Sequence, residues 1–179
     1  MQLFPGVTPR TATTFEMELS PRTTGLEMVA DSMSHPLSLL DHLFPVATPG
    51  LRDVEVRFAS AREATLRFTH PGGAHGVRAV VRLSNGDQEP RPAAFGFDGR
   101  KARRHIEEPG YRLFLLADGG GDDRRGAFPY PTDAVARRFV ERVRKGPPFP
   151  PEAVTLAGLV HLRELVAAAA RVAPDGGGG

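Results

Sequence analysis

The chain has no cysteine, which excludes disulfide bonds, thiol nucleophiles and sulfur-based zinc sites. It is also short of lysine: Lys101 and Lys145 are the only two, so arginine carries its positive charge. The net charge is only +2 despite a pI near 9.5. Such a mild excess, with no basic run interleaved with aromatics, predicts no nucleic-acid partner. No segment approaches the ~18 consecutive apolar residues of a membrane-spanning helix, and M-Q-L-F-P-G-V-T-P-R at the start lacks a signal peptide's basic and apolar regions. These absences predict a cytoplasmic protein that engages no membrane.

Other missing patterns narrow the chemistry. No G-x-G-x-x-G follows a strand pattern, there is no G-x-S-x-G elbow, and no phosphate-binding glycine loop carries a lysine. The six histidines, at 35, 42, 70, 75, 105 and 161, show no H-E-x-x-H or H-x-H spacing, so no metal site is expected. A dinucleotide fold, a serine hydrolase and a kinase all lack support.

What is present suits one folded domain. The 179 residues are 40% hydrophobic and 25% charged, within the roughly 100 to 200 residues of a typical domain. Phe15, Met17 and Leu19 alternate with Glu16 and Glu18, as do Val54, Val56 and Phe58 with Asp53, Glu55 and Arg57, and both runs read as half-buried strands. Ala64 to Phe68, Val77 to Leu83, Ala93 to Phe97, Ala102 to Ile106 and Tyr111 to Ala117 continue in the same way. Turn chemistry falls between them: H-P-G-G-A-H-G at His70 to Gly76, S-N-G-D at Ser84 to Asp87, D-G at Asp98-Gly99 and P-G at Pro109-Gly110. The succession predicts an antiparallel meander. Arg57, Arg67, Arg78 and Arg82 then mark its solvated face.

Asp118 to Gly126 is polar and glycine-rich and reads as a loop. From Thr132 the period becomes helical, with Ala134, Val135, Phe139, Val140 and Val143 in one stripe and Gly146-Pro147-Pro148 as the stop. A last helix runs from about Pro151 to Val172, carrying Leu156, Leu159, Val160, Leu162, Leu165, Val166 and Ala169.

One stretch carries chemistry: V-A-D-S-M-S-H-P-L-S-L-L-D-H-L-F-P, Val29 to Pro45. Met33, Leu37, Leu40 and Phe44 recur at helical spacing, so Pro36 belongs to the first turn and Ser34 is the expected N-cap. This puts His35 at the first helical position, with Asp31 just upstream in the connecting segment. Helix dipoles disfavour the imidazolium and a carboxylate favours it, which is the balance a general acid/base requires. The plainer alternative is that Asp31 caps a turn and His35 is a hydrogen-bonded, half-buried residue.

The motif and element order together resemble the C-terminal domain of the Gfo/Idh/MocA oxidoreductases, the family of glucose-fructose oxidoreductase and inositol dehydrogenase. Its signature, D-x-G-x-H-x-x-D-L-L, is matched here by Asp31-Ser32-Met33-Ser34-His35-Pro36-Leu37-Ser38-Leu39-Leu40, with Ser38 in place of the second acid and no glycine. Pro90 to His105 is similar to a strand-turn-strand of such domains, and Phe128 to Pro148 to their penultimate helix. The resemblance implies an α+β fold, a large, mostly antiparallel open sheet with helices packed on one face. It extends over residues 13–173 as one domain, after an extended lead-in at 1–12 and before a disordered glycine-rich tail at 174–179.

It further implies that His35 accepts a proton from a substrate hydroxyl and that Asp31 orients it or binds the substrate. The implied substrate is a sugar-like or other hydroxylated small molecule. No cofactor is expected on this chain alone. NAD or NADP is implied through a Rossmann domain supplied elsewhere, for example by a separate subunit, because the nucleotide-binding half and its E-K-P segment are missing. A homodimer through the sheet face is the expected assembly. The rival expectation is a non-catalytic dimerisation or partner-binding module that retains the open sheet.

Overall fold

The computed structural model describes residues 4, 6–8, 10–46, 48–107, 112–117, 124–128, 137, 140, 141, 144 and 153–174. The elements are β1 (Thr14–Leu19), α1 (Gly25–Ser32), α2 (Ser34–Leu43), β2 (Arg52–Ser60), β3 (Glu63–His70), β4 (Val77–Ser84), β5 (Ala93–Phe97), β6 (Arg100–Glu107), β7 (Arg112–Ala117), β8 (Arg124–Phe128) and α3 (Ala153–Ala170). The strands form one eight-stranded sheet in the order β2-β3-β4-β1-β5-β6-β7-β8. The α+β expectation of a large, mostly antiparallel sheet with helices on one face is met. Most of the helix expected from Thr132, and the tail beyond Pro174, lie outside the described residues.

The connectivity is not a simple meander. β1 lies between β4 and β5, parallel to β4 with Phe15 opposite Ala79, and antiparallel to β5 with Phe15 opposite Phe97. The S-N-G-D segment therefore makes no hairpin. Instead Asn85 donates its side-chain amide to the carbonyls of Pro21, Arg22 and Thr23 at 3.0, 2.8 and 3.2 Å, tying down the chain that leads from β1 into α1. Local turn composition does not decide which strands pair, and a strand arriving from the N-terminus has taken the place beside β4.

The D-G turn does make the tight hairpin its residues predict. Asp98 and Gly99 have φ of 49° and 77°, the two left-handed positions of a type I′ turn. Asp98 has a second task. Its Oδ1 accepts from the backbone N–H groups of Thr13 and Thr14 at 3.0 and 2.9 Å and from both hydroxyls, pinning the start of β1. Burial pushes this carboxyl up, but the four donors outweigh it and hold Asp98 below the usual carboxylate range.

The alternation read from the sequence sorts the faces. Phe15, Met17, Leu66, Phe68, Val77, Ala79, Val81, Leu83, Phe97 and Ala102 point to the helix side and are buried. α1 packs over β3 and β4, α3 packs over β2, and α3 also packs against both α1 and α2. The other face is charged: Arg82 pairs with Glu16 at 3.2 Å and Lys101 with Glu18 at 2.5 Å. Arg57, Arg67, Arg78 and Arg82 are all exposed there, the solvated side that the pattern predicts.

Three sequence expectations need correction. The segment that carries Asp31 is not connecting chain but α1, with Met28, Val29 and Ser32 buried at helical spacing. The loop expected at Asp118 to Gly126 ends in strand, since Arg124 begins β8 opposite Leu116. Pairing with β7 overrides the polar composition. In α3, Leu159 is 58% exposed while Ala157, His161, Leu165, Ala168 and Ala169 face inward, because small residues let the helix approach α2 closely. At the N-terminus, Phe4 is buried, its ring 5.6 Å from Phe95 and 5.7 Å from Phe97.

Candidate functional site

The stripe of α2 is buried as its spacing predicts: Met33, Leu37, Leu40 and Phe44 are each at most 1% exposed. Burying that stripe turns the opposite side of the segment outward, and Asp31 and His35 are on it, both exposed. Asp31 lies in the last turn of α1 rather than in a connecting segment. The two helices follow with only Met33 between them, itself in αR conformation, and Leu37 N–H still reaches the Met33 carbonyl at 3.2 Å. Ser34 is not the N-cap: its hydroxyl donates back to the Asp31 carbonyl at 3.3 Å. The motif is thus nearly one helix with a bend, and residues four apart share a face.

Asp31 and His35 line one cleft of about 390 Å3 together with Ser20, Arg22, Arg91 and Arg104. Among the described residues no hydrogen bond or ion pair joins the two side chains, so the imidazole is not held by the carboxylate. Each faces the cleft independently. The basic wall comes from elsewhere: Arg104 from β6, Arg91 from the loop before β5, and Arg22 from the segment clasped by Asn85. Glu89 accepts from Arg22 Nη2 at 3.2 Å and from Arg91 Nε at 3.1 Å. Those two hydrogen bonds hold its carboxyl below the ordinary range.

A second polar cluster lies in the core, and sequence spacing gives no hint of it. Asp41 on α2, His70 at the end of β3 and His161 on α3 are at most 2% exposed. One carboxylate oxygen, Asp41 Oδ1, is 2.8 Å from His70 Nε2 and 3.1 Å from His161 Nδ1. Two imidazoles and a carboxylate, with ligand atoms within 4.8 Å of one another, are a familiar metal-binding donor set.

The outer ring nitrogens decide the matter. Gly72 N–H donates to His70 Nδ1 at 3.1 Å and Gly50 N–H donates to His161 Nε2 at 3.0 Å. Each outer nitrogen therefore presents a lone pair, and each inner nitrogen carries the proton it donates to Asp41. A metal-bound histidine has the reverse arrangement, with its outer N–H donating to an acceptor. The tautomers set by the main chain leave no inner lone pair for an ion, so the cluster does not fit a metal centre. It is a clip that ties α2 and α3 to the end of β3.

Burial pushes the Asp41 carboxyl up, but hydrogen bonds from His161 and His70 outweigh it and hold it below the usual range. Asp41 Oδ2 has no hydrogen-bond partner among the described residues and faces Gly158, where a Cβ would stand 3.1 Å away. The nearest signal in the sequence is an aspartate four residues after Leu37 and three before Phe44, on the flank of an apolar stripe. Nothing in the sequence names its partners, which are 29 and 120 residues away.

Since His70 and His161 are sealed, the imidazole available to a ligand in the cleft is His35. His42, His75 and His105 are exposed but do not line it.

No protein-family model and no curated protein matches the chain. Solved structures do. UDP-N-acetylglucosamine 3-dehydrogenase GnnA from Acidithiobacillus ferrooxidans superposes in its P21 crystal form with a TM-score of 0.52 and 22% identity over 92% of this chain. Its P212121 form gives a TM-score of 0.52 and 21% identity over 91%. The likeness is one of fold. The chain spans about half of that enzyme, 53% of its length in both forms.

Proposed function

We propose that the chain is the substrate-binding, catalytic half of an NAD(P)-dependent oxidoreductase acting on a sugar-like or other hydroxylated small molecule. The observation that carries this reading is the shared cleft. The aspartate and histidine of the D-x-x-x-H motif, on either side of the bend between α1 and α2, open onto one small-molecule-sized space on a fold shared with a sugar-nucleotide dehydrogenase.

The described strands hold no βαβ unit with a glycine-rich turn, so this chain's residues do not fit a dinucleotide, and a Rossmann domain from elsewhere would hold it. The nicotinamide supplies the hydride acceptor when bound there. What this chain contributes is the proton path and the binding surface. Oxidation of a secondary alcohol to a ketone releases the hydroxyl proton as well as a hydride, and His35 is the base in reach of the cleft. Asp31, one helical turn away, binds a neighbouring hydroxyl and fixes the sugar ring.

Nicotinamide reduction, assayed with the chain complemented by a Rossmann partner, tests the proposal. His35→Ala should lower kcat by about a hundredfold to ten-thousandfold while leaving the thermal midpoint unchanged, since His35 is exposed and unpaired among the described residues. Full activity in that variant removes His35 from the mechanism.

The rival reading is a non-catalytic dimerisation or partner-binding module, and it draws support from the missing Asp31–His35 hydrogen bond and from the broad charged sheet face. It expects a stable dimer in light scattering and no complemented activity at all.

A further inference from the structure

Two clefts meet where β1 ends and β5 begins. The Asp31/His35 cleft and a neighbour of about 520 Å3 share Leu19, Ser20, Pro92, Ala93 and Arg104. Arg104 therefore stands at their junction. It lies on the helix-side row of β6 between Ala102 and Ile106, both buried, where the alternation calls for an apolar side chain. Its guanidinium donates to the Arg91 carbonyl, yet its Nε is buried and has no acceptor among the described residues. A buried charged donor left unsatisfied is costly, so its retention points to an acceptor that the described residues do not supply.

Around it the donors converge. Arg91, with only 21% of its side chain exposed, is braced by Nη1 donating to the Ser20 carbonyl at 3.0 Å. Arg22 and Arg91 both point at one oxygen, Glu89 Oε1. Glu89 itself is 57% exposed on its side chain, carried by an open loop. Three guanidinium groups against Glu89 and Asp31 leave the cleft net positive.

We propose that Arg22, Arg91 and Arg104 form a subsite for an anionic group, carboxylate or phosphoryl, on the ligand that reaches His35, and that Glu89 fills the subsite as a displaceable internal carboxylate. Guanidinium forks match the oxygens of either group. The link to His35 rests on the function proposed above; the anion subsite itself does not.

The test is calorimetric titration of the chain alone with gluconate, inorganic phosphate and glucose. Gluconate should bind about tenfold or more tighter than glucose, as one charge-assisted hydrogen bond warrants, and added salt should weaken both anions. Glu89→Gln, at an exposed loop position, should tighten both anions severalfold and leave glucose unchanged. Arg22→Ala, also exposed, should weaken them. Binding of phosphate without gluconate assigns the subsite to phosphoryl groups, and the reverse to carboxylates. Absence of saturable binding of both anions, binding of neither anion more tightly than glucose, or indifference to both substitutions overturns the proposal. Because no cofactor or partner enters the titration, its failure leaves the His35 assay intact, and a silent His35→Ala leaves the anion result standing.

Discussion

At the scale of single residues, the buried Asp41 is the most consequential side chain. It satisfies two imidazole N–H groups that have no water to turn to. Asp41→Ala should therefore destabilise the protein by about 2 to 6 kcal/mol, about 1 to 3 for each buried N–H left without an acceptor, measured by urea unfolding. Because the ring tautomers exclude an inner lone pair, zinc at saturating concentration should not raise the thermal midpoint. A zinc-dependent rise of several degrees would show that the rings flip to bind it. His35 was legible from spacing because a helix repeats every 3.6 residues. The Asp41 cluster was not, because its three members meet only when α2, β3 and α3 come together.

At the scale of elements, the β5–β6 turn holds both a hairpin and the start of β1. The Asp98 and Asp41 carboxyls are depressed in the folded state, so the unfolded chain binds protons first as pH falls. Their stabilisation is complete above the unfolded aspartate value of about 3.9 and is lost as pH drops through the lower folded value. Asp98→Asn keeps a residue tolerant of positive φ but loses the charge. In acid titrations followed by circular dichroism its stability should fall less steeply below about pH 4 than the parent's. At the same end of the strands, a Cβ on Gly72 would lie 2.1 Å from the Phe44 carbonyl oxygen. Gly72→Ala should cost about 2 to 4 kcal/mol by forcing α2 off β3, and it would disturb the N–H that fixes the His70 tautomer. The D-G hairpin could be read in advance since both central residues are stereochemically specified. S-N-G-D could not, because Asn85 serves a tertiary clasp.

For the whole molecule, the length, the strand alternation and the late switch to helical period determined an α+β chain with one wet sheet face. They also put His35 on a helix whose apolar stripe had to be buried, while the structure placed Asp31 in a helix of its own. These are local consequences of period and sterics, and they are written in neighbouring residues. Tertiary structure alone decided that β1 enters between β4 and β5, that Arg22, Arg91 and Arg104 gather beside His35, and that Asp41, His70 and His161 close on one another. Each of those is a contact between residues far apart in the chain. Its free energy depends on which apolar faces pack together, and no window of sequence contains both sides.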